Sequence, residues 1–124
     1  MTAVLLMSFC LLVAGRANGQ TDNKDQIAKG QYVFAVAGGC ACHTEPKKEA
    51  NITLDKETGI GDWKREDIAE LLKSATKPNA DNVQGLMYEV IQGVGDGYKD
   101  MTKEDALAIA DSIKSIPAMK NKVK

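Results

Sequence analysis

The sequence contains a single histidine, His43, and only three cysteines, so few side chains are available to ligate a transition metal. Aromatic residues make up 5% of the chain, which is a thin supply of large side chains for the core of a small domain. The charges nearly cancel, with a formal net charge of −1. This balance excludes the strong basic field that is typical of proteins binding nucleic acid or anionic lipid.

Long hydrophobic runs are also absent, since no run reaches the roughly 20 residues that a membrane-spanning helix needs. The apolar stretch from Ala3 to Ala14 is shorter, and small residues follow it as far as Gly19. We interpret residues 1–19 as a secretory signal peptide, which would carry Cys10 away with it. The expected mature protein, residues 20–124, is then one exported domain without a stable membrane span, periplasmic in a bacterium.

Four helices and no strand are predicted from the spacing of apolar residues and from helix-capping signals. The first helix, from about Lys24 to Ala37, ends at a pair of glycines and leads directly into the remaining two cysteines. Two more are predicted over residues 62–76, with Asp62 as the N-cap, and over residues 83–92. The last begins at a capping box formed by Thr102 and Asp105.

Gly30 lies within the first predicted helix and lacks a side chain. A glycine at such a position lets two helix backbones approach closely. We therefore expect the first and last helices to cross at this residue.

The run Cys40-Ala41-Cys42-His43 is one residue shorter than the Cys-x-x-Cys-His motif that attaches haem in c-type cytochromes. Three interpretations compete. Structural zinc normally takes four ligands, whereas this cluster offers three. A disulfide between Cys40 and Cys42 would close a very short, strained ring. Covalent haem agrees best with export to an oxidising compartment, and a buried porphyrin would fill a core that is short of aromatic side chains.

Three separated blocks of the chain carry a wider resemblance, and they are Cys42-His43-Thr44, Asn51-Ile52-Thr53-Leu54-Asp55, and Thr58-Gly59-Ile60-Gly61 followed by Trp63. Their order resembles that of small class I cytochromes c and of the cytochrome subunits of periplasmic dehydrogenases. The resemblance covers most of residues 20–124. It implies an all-α class I cytochrome c fold, with about four helices around one haem c, that carries electrons and is not an enzyme.

The resemblance also implies the ligands of the iron. His43 would be the proximal ligand, and the distal ligand of the family is usually a methionine. Because the chain has one histidine, ligation by two histidines of the same chain is excluded. Among Met87, Met101 and Met119, Met87 lies in the segment that resembles the family's ligand position upstream of the last helix. Packing in the core is the commoner role of a methionine and is the alternative for Met87.

Two more cofactor-binding residues are assigned by the resemblance. Leu54 stands where the family commonly has a proline whose carbonyl oxygen accepts the proximal imidazole N–H, and a leucine carbonyl can accept the same bond. Trp63 is expected to donate to a haem propionate, or else to cover the edge of the core.

The shortened motif keeps Cys42 beside His43 but moves Cys40 one residue closer to the histidine. Attachment of haem through both cysteines and attachment through Cys42 alone both stay open.

A carrier of this kind would exchange single electrons with another redox protein, such as a dehydrogenase, an oxidase or a second cytochrome. It would act as a monomer or as a subunit of a redox complex. Two other function classes are compatible with the same residues. A haem-based sensor or small-ligand-binding protein would have an open distal site, and a zinc or redox module would use the cysteines without haem.

Overall fold

The computed structural model describes residues 23–38, 43, 50–93 and 97–122. Within these ranges the chain forms four α-helices, which are α1 (Asn23–Val36), α2 (Arg65–Ser74), α3 (Leu86–Gln92) and α4 (Lys103–Lys114). A 3-10 turn, Tyr98–Asp100, precedes α4. The described residues contain no strand, and their one β-bridge joins Thr76 to Asn82. The prediction of an all-α chain with four helices is therefore confirmed for this part of the protein.

The last helix begins where the sequence predicts. Thr102 is its N-cap, and the Thr102 hydroxyl accepts the backbone N–H of Asp105 at 3.1 Å. The same hydroxyl donates to the Asp105 carboxylate at 2.8 Å, which closes the cap. One face of α4 is buried and rich in small residues, comprising Ala106, Ala108, Ile109, Ala110, Ser112 and Ile113. Because these side chains are small, neighbouring helices can approach α4 closely.

Helix α1 packs against α4 at Gly30, which is the buried residue of α1. A Cβ atom at this position would overlap the carbonyl oxygen of Ala108, so the approach requires glycine. Lys29 supports the contact, because its Nζ lies 2.9 Å from Asp105 and 3.4 Å from Glu104. The hydrogen bond between Lys29 and Asp105 lowers the pKa of Asp105 and raises the pKa of Lys29. The first and last helices are thus in contact at the expected glycine.

Helix α2 begins later than the sequence predicts. Its N-cap is Lys64, whose backbone N–H donates to the Asp67 carboxylate at 2.8 Å, whereas Asp62 lies exposed before the helix. Arg65 donates two hydrogen bonds to the carboxylate of Asp111 on α4, at 2.6 and 2.8 Å. The hydrogen bonding to Asp111 raises the pKa of Arg65. The two-point contact fixes the beginning of α2 against α4.

The buried core lies where α2, α3 and α4 meet the 3-10 turn. Its members are mostly alanine, leucine and isoleucine, namely Ile68, Ala69, Leu72, Ala75, Ile91, Tyr98, Ala106, Ile109, Ala110 and Ile113. Partly buried apolar side chains from α1 and from the segment before α2 pack onto this core. Of the helices described, none combines the length and the apolar character required to cross a bilayer.

Candidate cofactor site

A cavity of about 630 Å³ adjoins the core. This volume lies in the range of roughly 300–1,000 Å³ that is typical of cofactor and small-molecule sites. Six of the nine partly buried apolar side chains that pack on the core also line the cavity, and they are Phe34, Ile60, Trp63, Leu71, Val83 and Met87. The core covers these side chains on one side only. A bulky apolar ligand in the cavity would bury their other side and complete the packing.

His43 is half-buried and lines this cavity. Its Nδ1 atom lies 2.8 Å from the carbonyl oxygen of Ala50. A carbonyl oxygen can only accept a hydrogen bond, so in the neutral ring Nδ1 carries the hydrogen and Nε2 keeps its lone pair. A histidine that donates through one nitrogen and presents the other as a ligand is the usual arrangement at a metal centre.

The acceptor of this bond is Ala50, whereas the sequence assigned the role to Leu54. The segment after Asn51 folds back on itself, because the N–H of Ile60 donates to the carbonyl of Thr53 at 2.9 Å. The Leu54 carbonyl lies against Gly61, where an added Cβ would be 2.5 Å from it. The Leu54 carbonyl is thus part of this turn, and Leu54 is not among the residues that line the cavity.

Asp55 closes the same turn. Its carboxylate accepts hydrogen bonds from both the hydroxyl and the backbone N–H of Thr58, each at 2.7 Å. These two bonds lower the pKa of Asp55, and the bond from the hydroxyl has the larger effect. A carboxylate that accepts two such bonds holds the turn in one conformation. The cavity wall formed by this segment is therefore well defined.

Met87 is half-buried on α3 and lines the cavity. Helix α3 is shorter than predicted because Gly85, its N-cap, adopts a φ of 64° that most residues avoid. The other two candidate methionines lie elsewhere. Met101 packs against the core, and the Met119 residue is 62% exposed in the tail after α4. Of the three, Met87 is the one that shares the cavity with His43.

Trp63, which the resemblance assigned to the cofactor, also lines the cavity. Its backbone is held on both sides, since its N–H donates to Ile60 at 3.0 Å and its carbonyl accepts from the Lys114 ammonium at 3.0 Å. Besides the carboxylate of Glu57, the wall carries the positive charges of two lysines, Lys77 and Lys122. Sequence reasoning missed them, because isolated lysines usually mark only a solvated surface.

Tyr98 is a second residue that sequence reasoning missed. It is 7% exposed, lines the cavity and donates its hydroxyl to the carbonyl of Ala37 at 2.9 Å. This bond holds the end of α1, from which the chain leads towards the cysteines. Cys40 and Cys42 themselves lie outside the described residues. No sequence signal marked Tyr98, because its partner is 61 residues away.

No family model matches the chain, and a search of curated proteins finds no match. The described residues contain no group of three or more His, Cys, Asp or Glu side chains that could hold a metal ion. The interpretation of the cavity therefore depends on the residues that line it and on the sequence motif that includes His43.

Proposed function

We propose that this protein is an electron carrier of the class I cytochrome c type with one covalently attached haem c. One observation carries the proposal most directly. The single histidine and Met87 line the same largely apolar cavity of about 630 Å³. The residues fit the group, because haem needs an apolar envelope together with a nitrogen ligand and, in many carriers, a thioether ligand.

In this proposal His43 and Met87 hold the iron, while Cys42, with Cys40 as the second attachment point, holds the porphyrin. Haem supplies a one-electron Fe(II)/Fe(III) couple when it is bound. The Ala50 carbonyl accepts the His43 N–H, which orients the ring and increases its basicity. The thioether of Met87 favours Fe(II) and therefore raises the potential.

The walls of the cavity have their own roles in the proposal. Apolar side chains exclude water from the cofactor and thereby help set its potential. Lys77 and Lys122 line the cavity and would balance the carboxylates of the porphyrin, and Trp63 would donate its indole N–H to one of them. No residue is assigned a catalytic role. The protein would exchange electrons outside the cytoplasm with a dehydrogenase, an oxidase or another cytochrome.

The direct test is the mass of the denatured protein after expression together with haem-attachment machinery. A mass increase equal to one haem is expected, because thioether bonds survive denaturation. A pyridine haemochrome spectrum then reports whether one vinyl group or both are saturated, which decides the role of Cys40. A colourless polypeptide of unmodified mass would refute the proposal and favour the zinc or redox module.

The distal ligand is tested by Met87→Ala. The weak absorption band near the red end of the ferric spectrum, given by methionine sulfur on iron, should be lost in this variant. Met119→Ala is the matched control, and it should keep the band because residue 119 is 62% exposed and outside the cavity. A five-coordinate spectrum in the unmodified protein would contradict the carrier and favour a haem sensor with an open distal site.

A further inference from the structure

The residues after α4 lie along the turn that follows His43. The carbonyl oxygen of Met119 accepts hydrogen bonds from the Asn51 amide at 2.6 Å and from the Thr53 hydroxyl at 3.1 Å. The Met119 N–H donates back to the Thr53 hydroxyl at 2.9 Å. The N–H of Asn121 donates to the Thr58 hydroxyl at 3.0 Å. Residues 118–122, which we call the C-terminal strap, are thus bound to this turn through their backbone.

Asn51 is the buried centre of these contacts, with 8% of its surface exposed. Its amide nitrogen donates both to Met119 and, at 2.9 Å, to the Thr58 hydroxyl. Its amide oxygen accepts the backbone N–H of Thr53 at 3.0 Å. Both ends of the side-chain amide are therefore occupied, and one of its two donor bonds depends on the strap. A buried amide with its partners in place holds a single orientation.

The backbone of Asn51 is joined to the histidine through one peptide group. The carbonyl that accepts the His43 N–H belongs to Ala50, and a peptide bond links that carbonyl directly to the nitrogen of Asn51. Because a peptide group is planar, the Ala50 carbonyl moves as one rigid unit with the nitrogen and Cα of Asn51, so holding Asn51 in place restricts the direction of that carbonyl. The orientation of the imidazole is thereby connected to the strap through Asn51.

We propose that Asn51 is a positioning residue for His43 and that the C-terminal strap holds Asn51 in place. The effect on haem rests on the proposed function, in which His43 ligates the iron. Release of the strap loosens the bond between His43 and Ala50, so the imidazole becomes a less basic ligand. The ferric state is then less stabilised, and the midpoint potential rises.

Thr53→Val tests this proposal in the haem-loaded protein. The change removes the hydroxyl that makes two bonds to Met119 and keeps the shape of the side chain. Thr53 does not line the cavity, so its replacement leaves the cavity wall intact. We expect a higher midpoint potential and faster solvent exchange of the His43 ring N–H, because the bond that holds this hydrogen is loosened.

Two matched variants separate positioning from general support. Thr53→Ser keeps the hydroxyl. Lys120→Ala removes the exposed ion pair that Lys120 of the strap makes with Glu57 and leaves the backbone bonds of the strap in place. Both should keep the potential and exchange rate of the unmodified protein. A chain ending at Pro117 removes the whole strap, including the bond from Asn51 to Met119 that Thr53→Val leaves in place. Because it also removes Lys122 from the cavity wall, it is compared by exchange rate alone, and its His43 ring N–H should exchange at least as fast as in Thr53→Val.

Equal potentials and exchange rates in Thr53→Val and Thr53→Ser would overturn the proposal, and so would a loss of stability without a change in either quantity.

If the protein carries no haem, the proposed function fails, but the positioning role of Asn51 can still be tested on the haem-free chain. Nitrogen NMR of the haem-free chain then reports one imidazole, since the chain has one histidine. Hydrogen on Nδ1 in the unmodified protein and a tautomer mixture in Thr53→Val would support positioning. The same tautomer population in both would overturn it.

Discussion

Replacing Gly30 by alanine is expected to separate α1 from α4. The added Cβ would overlap the carbonyl oxygen of Ala108, and it would lie 2.5 Å from the Ala108 carbonyl carbon and 3.0 Å from the nitrogen of Ile109. All three atoms belong to the backbone of α4. A backbone cannot rotate aside as a flexible side chain can, so the helices themselves must move apart.

Two opposing effects determine the magnitude. Alanine favours the helical state over glycine by about 1 kcal/mol. Adding a methyl group to a close-packed contact costs about 1–3 kcal/mol, and we take the upper end because the clash is with backbone. The free energy of unfolding should therefore fall by about 2 kcal/mol. Since Gly30 is the buried residue of α1, the loss should begin with detachment of this helix.

Urea denaturation measures the effect, and two further variants test the reasoning. Ala28→Gly changes an exposed position of the same helix and should cost only the propensity difference of about 1 kcal/mol. Adding Ala108→Gly to Gly30→Ala should restore nothing, because the clash involves the carbonyl of residue 108 and not its side chain. Unchanged or increased stability of Gly30→Ala would refute the reasoning.

Two other contacts of α1 give further predictions. Tyr98→Phe removes the bond to the Ala37 carbonyl and should cost about 1 kcal/mol, with faster hydrogen exchange of the Gly38 N–H; unchanged exchange would contradict it. The bond from Lys29 lowers the pKa of Asp105, so this carboxylate stabilises the fold above about pH 4 and loses that effect as the pH falls through its lowered pKa. The stability difference between the unmodified protein and Asp105→Asn should therefore narrow on acidification, and a constant difference in urea titrations would argue against the ion pair.

Helix boundaries were predictable where the signal is local. The predicted first helix, Lys24 to Ala37, differs by one residue at each end from the observed Asn23–Val36. The capping box of Thr102 acts within one helical turn, and it lies where it was predicted. The beginning of α2 was not predictable in this way, because the segment offers several acidic residues and the structure uses Asp67 to cap the N–H of Lys64.

The sequence by itself determined the chemistry that is available. One histidine beside two cysteines narrows the possible sites, and helix signals carried by neighbouring residues account for the all-α chain. The tertiary structure decided which distant residues meet, since it brings His43, Trp63 and Met87 to one cavity. It also decided that Ala50 accepts the imidazole N–H and that Asn51 binds Met119, 68 residues away. Bonds within a helical turn depend on adjacent residues, whereas these contacts join residues from different helices and turns that only the folded chain brings together.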